Sequence, residues 1–287
     1  MLGGGTFTFE IRAINSVNNV ETSYASDQLT TNPVWSDNMT ITGDVIVPPG
    51  ITLTIQPGTT VNFATTDDQG GGQYTSKCEL IVYGKLVAEG TASSPITLES
   101  TEGGTTKSQW RGIVFWDSAD DASVVKYCNI KNAIYGVDLH QAVPEITYNN
   151  ITYSSYGIRA WGTSSSPLQG VTIEHNTLDH NGYGLELGYA SSGSVRYNSA
   201  SYNSVKGMHF YQASPLNISS NTVTNNSKGI DMAGGSPYMD SNTAKNNTNW
   251  GIYLYSGADP TLVSSKIGYN GSYRVRLYRG ITFRHRG

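Results

Sequence analysis

Four ionisable residues, Arg159, Glu186, His209 and Asp231, follow one another at intervals of 27, 23 and 22 residues, each two places after a glycine. Asp138 stands in the same relation to Gly136. If each interval is one coil of a repeating fold, these side chains form a column, and two chemistries come within reach. Glycosidic hydrolysis takes two carboxyl groups, one of them protonated. Glu186 and Asp231, two rungs apart, would be separated by about 9.6 Å at β-strand spacing, which suits an inverting pair with His209 between them to tune proton affinity. Asp138 with Glu186, around Arg159, makes a second pair. β-Elimination instead needs a base, often Arg or Lys, and a Ca²⁺ held by acids to neutralise a uronate. Arg159 between Asp138 and Glu186 is the cluster of that kind.

A second column lies two places further on: Trp116, His140, Trp161, Gly188, Tyr211, Ala233 and Tyr255. A sugar ring offers an apolar C–H face and a rim of hydroxyls, which aromatic rings and polar side chains can cover separately. A polysaccharide running along the column would meet Trp116, Trp161, Tyr211 and Tyr255, with Asp138 and His140 at its side. Aromatics two coils apart are expected about 9.6 Å from one another. The insertion "GTSSSPLQG" (162–170) follows Trp161 and could wall such a groove. The plainer reading is that alternating charges keep adjacent rungs from repelling and that aromatics simply favour strands.

These columns exist only if the chain repeats, and two independent anchors say that it does. Gly followed by an apolar residue recurs at 112, 136, 157, 184, 207, 229 and 251. Eight or nine residues before the later glycines stand Cys128, Asn149, Asn176, Asn198, Asn221 and Asn242, and Ser265 continues the series. Helical repeats need longer units, whereas a period near 22 with two-residue alternation predicts a parallel β-solenoid of about ten coils. In that fold Asn at a fixed inward turn can bond to the Asn of the next coil, and Gly eases the change of direction before a buried strand. The first and third residues after each glycine are apolar throughout, so the second and fourth are expected to face solvent together.

The phrases "GKLVAEGTASSPITLES" and "WRGIVFWDSADDASVVKYCNIKNAIYGV" resemble the opening coils of right-handed parallel β-helix repeat proteins of microbial cell surfaces, within the pectate-lyase-like superfamily. The resemblance spans roughly residues 35–270 and implies an all-β, right-handed parallel β-helix, a single-chain solenoid. That superfamily hosts polysaccharide lyases, glycoside hydrolases and adhesins, so fold alone does not select an activity. No run of Asp pairs or Gly-His-Gly phrase like those of polygalacturonases occurs. The opening "GTFTFEIRAINSVNNVETSYASDQLTTNP" resembles the last strands of a fibronectin type III module. The expected organisation is therefore residues 1–34 as a module remnant or capping hairpin, 35–272 as β-helix, and 273–287 as a basic strand or tail.

Of the 287 residues, 37% are hydrophobic and 14% charged, and no apolar run is long enough to span a membrane as a helix. All 22 acidic residues precede position 273, while the last 15 residues carry five arginines. Such a tail can meet an anionic surface, but a frayed last strand accounts for it as well, and no nucleic-acid partner is expected. Cys78 and Cys128 lack metal-ligand spacing, and Cys128, on the first rung of the Asn series, reads as a small buried residue. Acid-rich stretches at Asp67-Asp68 and at Asp117, Asp120 and Asp121 could hold Ca²⁺, although solvated loop acids are the commoner case. An export signal, if there is one, lies outside this chain. Three readings stay open: an extracellular or cell-surface polysaccharide-binding domain, a polysaccharide lyase or hydrolase using Glu186, Asp231, His209 and Arg159, or a spacer that self-associates end to end.

Overall fold

The computed structural model describes residues 22–24, 27–68, 70–277 and 284–286. Among them the chain contains strands and turns but no helix, and winds into three parallel sheets of eleven strands each. Sheet A runs from Thr22–Tyr24 to Lys266–Gly268, sheet B from Asp27–Gln28 to Tyr273–Leu277, and sheet C from Val34–Trp35 to Arg284–Arg286. Each coil contributes one strand to each sheet, which pairs with the equivalent strand above and below. This makes one coil more than the sequence period suggests. Thr22–Tyr24, Asp27–Gln28 and Val34–Trp35 already pair in parallel with the next coil. The fibronectin-like stretch before residue 22 lies outside the described residues. In the basic tail, Tyr273–Leu277 and Arg284–Arg286 extend sheets B and C.

Alternation within sheet B sets the core. Ile113, Val137, Ile158, Leu185, Met208, Ile230 and Ile252 form one fully buried column, and Phe115, Leu139, Ala160, Leu187, Phe210, Met232 and Leu254 form a second. A one-residue slip would expose both columns at once, so the register is strongly specified. Gly112, at φ +115°, eases the backbone's change of direction as expected, whereas the later glycines of the series serve a different purpose. A Cβ at Gly184 would lie 2.5 Å from the Gly207 carbonyl oxygen and 2.9 Å from Asn203 Nδ2. Gly157 is similarly confined, by the Gly184 carbonyl at 2.5 Å and Asn181 Nδ2 at 3.1 Å. These glycines are needed for close approach between coils rather than for a left-handed turn.

Two amide ladders tie the coils together. In the first, the Oδ1 of each Asn accepts the backbone N–H and the Nδ2–H of the Asn one coil earlier. Asn149 thus bonds to Asn176, Asn176 to Asn198, Asn198 to Asn221, and Asn221 to Asn242, all at 2.9–3.1 Å. Each Nδ2 also donates to a carbonyl of the preceding coil, such as Ile173 O from Asn198 at 2.8 Å. The ends are closed by the Cys128 N–H, which donates to Asn149 Oδ1, and by Ser265 Oγ, which accepts from the Asn242 N–H. A second ladder, five residues later in each coil, joins Asn181, Asn203, Asn226, Asn247 and Asn270. Buried amides this fully paired hold one coil in register with the next. Cys78 and Cys128 are unbonded to each other and buried, and burial pushes both thiols up to about 12.

The turns on both sides of sheet A place one residue per coil in the left-handed region. From Tyr127 onward these are, entering sheet A, Tyr127, Tyr148, His175, Tyr197, Ser220, Ser241 and Ser264, and leaving it Asn132, Tyr153, His180, Tyr202, Asn225, Asn246 and Tyr269, all with φ between 46° and 64°. The rings of the first set stack at 4.6–4.9 Å between centroids; in the second, His180 stacks on Tyr202 at 5.1 Å while Tyr153 lies 5.3 Å from His180, tilted by 36°. Spacing equal to the strand separation means that the rings lie across the long axis, face to face.

Replacing Asn198 by Ala would leave the Ile173 carbonyl and the Asn176 N–H buried without partners. The expected cost is about 2–4 kcal/mol, read as a clear fall in thermal midpoint. Ser265→Ala, at a half-buried ladder end, should cost much less.

Candidate functional site

The outer face of sheet B brings the two columns together as expected. In register run Val114, Asp138, Arg159, Glu186, His209, Asp231 and Tyr253, and beside them His140, Trp161, Gly188, Tyr211, Ala233 and Tyr255. Not every member meets solvent, however. Asp138 is 0% and Asp231 2% exposed, and Val114, Gly188 and Ala233 are also buried. Arg159, Glu186, His209, Trp116, His140, Trp161, Tyr211 and Tyr255 are half-buried.

Burial of Asp138 follows from partners that its own column does not contain. Arg111 Nη2 lies 2.6 Å from Asp138 Oδ2, and His140 Nε2 lies 3.0 Å from the same oxygen. Burial alone would raise the Asp138 carboxyl, but His140 and Arg111 together hold it below the usual carboxylate range. The Arg111 guanidinium is itself sandwiched between the Tyr74 ring at 4.6 Å and the Tyr135 ring at 4.2 Å. Tyr74 belongs to the segment 64–77, which thus covers the N-terminal end of the face. There Ile81 and Val114, outward by alternation, are only 4% and 1% exposed.

That segment is held by buried carboxylates. Glu79 accepts from the N–H groups of Gln73 and Tyr74, and Asp44 Oδ1 accepts the Glu79 N–H at 2.9 Å. Gly72, at φ +59°, is required here because any Cβ would run into the Glu79 and Asp44 carboxylates. Burial, then the charges of Asp67 and Glu79, raises the Asp44 carboxyl to about 7. Burial also raises Glu79, against the pull of the Tyr74 and Gln73 amides and Arg111.

Further along, acids and nitrogen-bearing side chains alternate. Arg159 stands 3.6 Å from Asp138 Oδ1 and 3.7 Å from Glu186 Oε2, too far for a hydrogen bond to either, so its donors remain turned between two carboxylates. Glu186 Oε1 lies 3.1 Å from His209 Nδ1, and His209 Nε2 lies 3.3 Å from the Tyr255 hydroxyl. A proton on Nδ1 directed at Glu186 leaves Nε2 as an acceptor facing the Tyr255 hydroxyl, whose one proton also lies within reach of the Asp231 carboxylate. Asp231 pairs with Lys206 Nζ at 3.2 Å. Burial and the neighbouring Asp231 carboxylate push the Tyr255 hydroxyl upward, keeping it a donor. Glu186 and Asp231 are therefore each engaged by a base or cation, rather than standing as a bare pair. Lys206 and the Tyr255 hydroxyl were not singled out in these roles by the sequence, because neither shares a column with its partner.

The aromatic column is tighter than its spacing suggests. Trp116 stacks on His140 at 4.4 Å, and Trp161 reaches Tyr211 at 5.8 Å rather than about 9.6 Å. Gly188 makes this possible: a Cβ there would come within 2.8 Å of the Trp161 ring. On the opposite margin, Tyr135, Tyr156 and Tyr183 stack at 4.8 and 4.6 Å. Burial and the Glu186 charge raise the Tyr156 hydroxyl to about 12. The floor of mixed charge thus runs between two aromatic margins.

Among the described residues no three His, Cys, Asp or Glu side chains converge to hold a metal ion. Asp120 and Asp121 accept the N–H groups of Ala122 and Val143, as turn acids do. No helix of the described residues is long and apolar enough to cross a membrane.

The raised Asp44 carboxyl has a direct consequence. Protonation stabilises the folded state fully below about pH 4 and is lost as pH rises through about 7. The wild-type thermal midpoint is expected to fall between about pH 4 and pH 7 and to level off above, and Asp44→Asn to flatten that fall, raising stability at pH 8 by about 1–3 kcal/mol.

Comparison with known proteins agrees with this architecture. The family model described as "Right handed beta helix region" matches residues 111–267, and "Pectate-lyase like beta helix domain" matches residues 26–162. No curated protein matches the chain in sequence. Among solved structures, a double mutant of the periplasmic alginate epimerase AlgG superposes with a TM-score of 0.56 at 16% identity, covering 86% of this chain and 69% of that one. A further AlgG structure gives 0.53 at 16% identity, covering 85% and 70%. At this identity the likeness is one of fold. With more than half of its length matched by that family model, the chain belongs to the right handed beta helix family.

Proposed function

We propose that the outer face of sheet B binds an acidic polysaccharide lying along the helix axis, in an extracellular or periplasmic setting. The observation that carries this reading is the floor of mixed charge between two aromatic margins. Arg159 is its centre. Its guanidinium is fixed over the Tyr135 and Trp161 rings at 5.2 and 5.7 Å yet hydrogen-bonded to neither flanking carboxylate. A guanidinium held in that way can receive a uronate carboxylate in bidentate fashion. Trp161 and Tyr211 supply apolar contact beside it, and His140, Glu186 and His209 offer hydrogen bonds to hydroxyls. That AlgG, which shares the fold, is an alginate epimerase supports a polysaccharide ligand.

The Glu186–His209–Tyr255 relay favours a second reading, in which the same face transforms the polymer. Glu186 would orient His209, His209 Nε2 would take a proton from the sugar, and Tyr255 would return one, while Arg159 neutralises the uronate. A lyase or an epimerase could use such a set, and a hydrolase would instead rely on Glu186 and Asp231.

Gels containing alginate or polygalacturonate should retard the protein, and Arg159→Ala or Trp161→Ala should weaken that retardation by about tenfold. Wild-type migration unchanged by any acidic glycan would sink the proposal. Product analysis on the same polymers separates the two readings. If unsaturated or epimerised products form, Tyr255→Phe and His209→Ala are expected to slow their formation by about 10²–10⁴-fold while binding persists.

A further inference from the structure

A second surface, on sheet A, carries rings that the sheet B reading does not use. The ring ladders on its two borders end at the same coil, with Tyr197 on one side and Tyr202 on the other. Ser220 and Asn225 occupy the next rungs, as the pairing of Arg196 with Ser219 and of Ser201 with Thr224 requires. Each terminal ring is covered on one face only, by His175 and His180 respectively. Tyr197 is 51% and Tyr202 57% exposed, against 42% for Tyr148, an inner ring of the first ladder.

Backbone requirements do not account for them. A left-handed conformation is easier for Asn than for Tyr. The next two coils use Ser220, Ser241, Asn225 and Asn246 in these same positions, and only the last has a tyrosine, Tyr269, so small polar residues satisfy the turn. Stacking accounts for the inner rings of each ladder, whose two faces are both covered. It does not account for the two outer faces left open at one level.

Between those faces lies the strand Thr222–Thr224, which turns Thr222 and Thr224 outward and carries no charge. Ser220 and Asn225 flank it, also uncharged. Arg196 near the Tyr197 ring is already paired with Glu174 on the preceding coil at 2.8 Å. Two open ring faces on either side of a hydroxyl and amide shelf fit a neutral ligand with apolar faces and many hydroxyls.

We infer that sheet A holds a second glycan site, in which a neutral polysaccharide crosses the coil at Thr222–Thr224 and stacks on the open faces of Tyr197 and Tyr202. It is separate from the sheet B face, since its residues belong to a different sheet and its preference is for uncharged rather than acidic chains.

The test exchanges the terminal rings for the residues that the next coil already uses. Wild type, Tyr197→Ser with Tyr202→Asn, and Trp161→Ala are run in gels containing hydroxyethyl cellulose, xylan, mannan or laminarin, and separately in alginate. The double variant should lose retardation by at least one neutral polymer about fivefold to tenfold, with its thermal midpoint and alginate retardation unchanged. Trp161→Ala should leave neutral retardation intact. Absence of wild-type retardation in all four neutral gels overturns the site. So does neutral retardation that survives the double substitution, or its loss together with a falling thermal midpoint, which would show the rings to be structural. Because alginate is measured in parallel, failure on sheet B is distinguishable from failure on sheet A.

Discussion

Everything on the surface of this molecule depends on coils being held at a fixed rotation about the long axis. Parallel pairing supplies the spacing, but by itself it would tolerate slippage by two residues. The paired Asn amides remove that freedom, since each one bonds at once to its own coil's predecessor and to the next Asn, inside an environment where a missing partner is costly. Glycines beside the second ladder let the coils come close enough for those amides to meet. The outer columns are rigid because the inner ones are.

A fixed register turns the surface into long, straight rows, and rows of like charge would repel. Sheet B avoids this by placing Arg159 and His209 between its acids from Asp138 to Asp231 and by drawing cations in from neighbouring rows, with Arg111 and Lys206 both entering from beside the glycine. The outcome is a surface that is charged locally and nearly balanced as a whole. Arg159 differs from its neighbours in having two carboxylates near it and a hydrogen bond to neither. That unfinished pairing gives the face its most distinctive chemical group.

The solenoid, its period, the first amide ladder and the core columns were legible in the sequence, because each is a local pattern repeated at one interval. The second ladder was equally visible as Asn176/Asn181, Asn198/Asn203, Asn221/Asn226 and Asn242/Asn247, yet its rungs fall in turns where Asn has a ready local explanation. Burial of Asp138 and Asp231 could not be read, since it depends on Arg111, Tyr74 and Lys206, none of which shares their column. Trp161 shows the same limit. Strand spacing gives the distance between backbones, whereas the ring leans across Gly188 to reach Tyr211. The extra coil escaped notice because its strands lie in a stretch whose composition suggested another module.

The cover formed by residues 64–77 makes the two ends of sheet B unequal. With Tyr74 laid over Arg111, a linear polymer on this wall must lift away near the early coils and can continue only toward the late ones. The wall therefore has a covered head and an open tail.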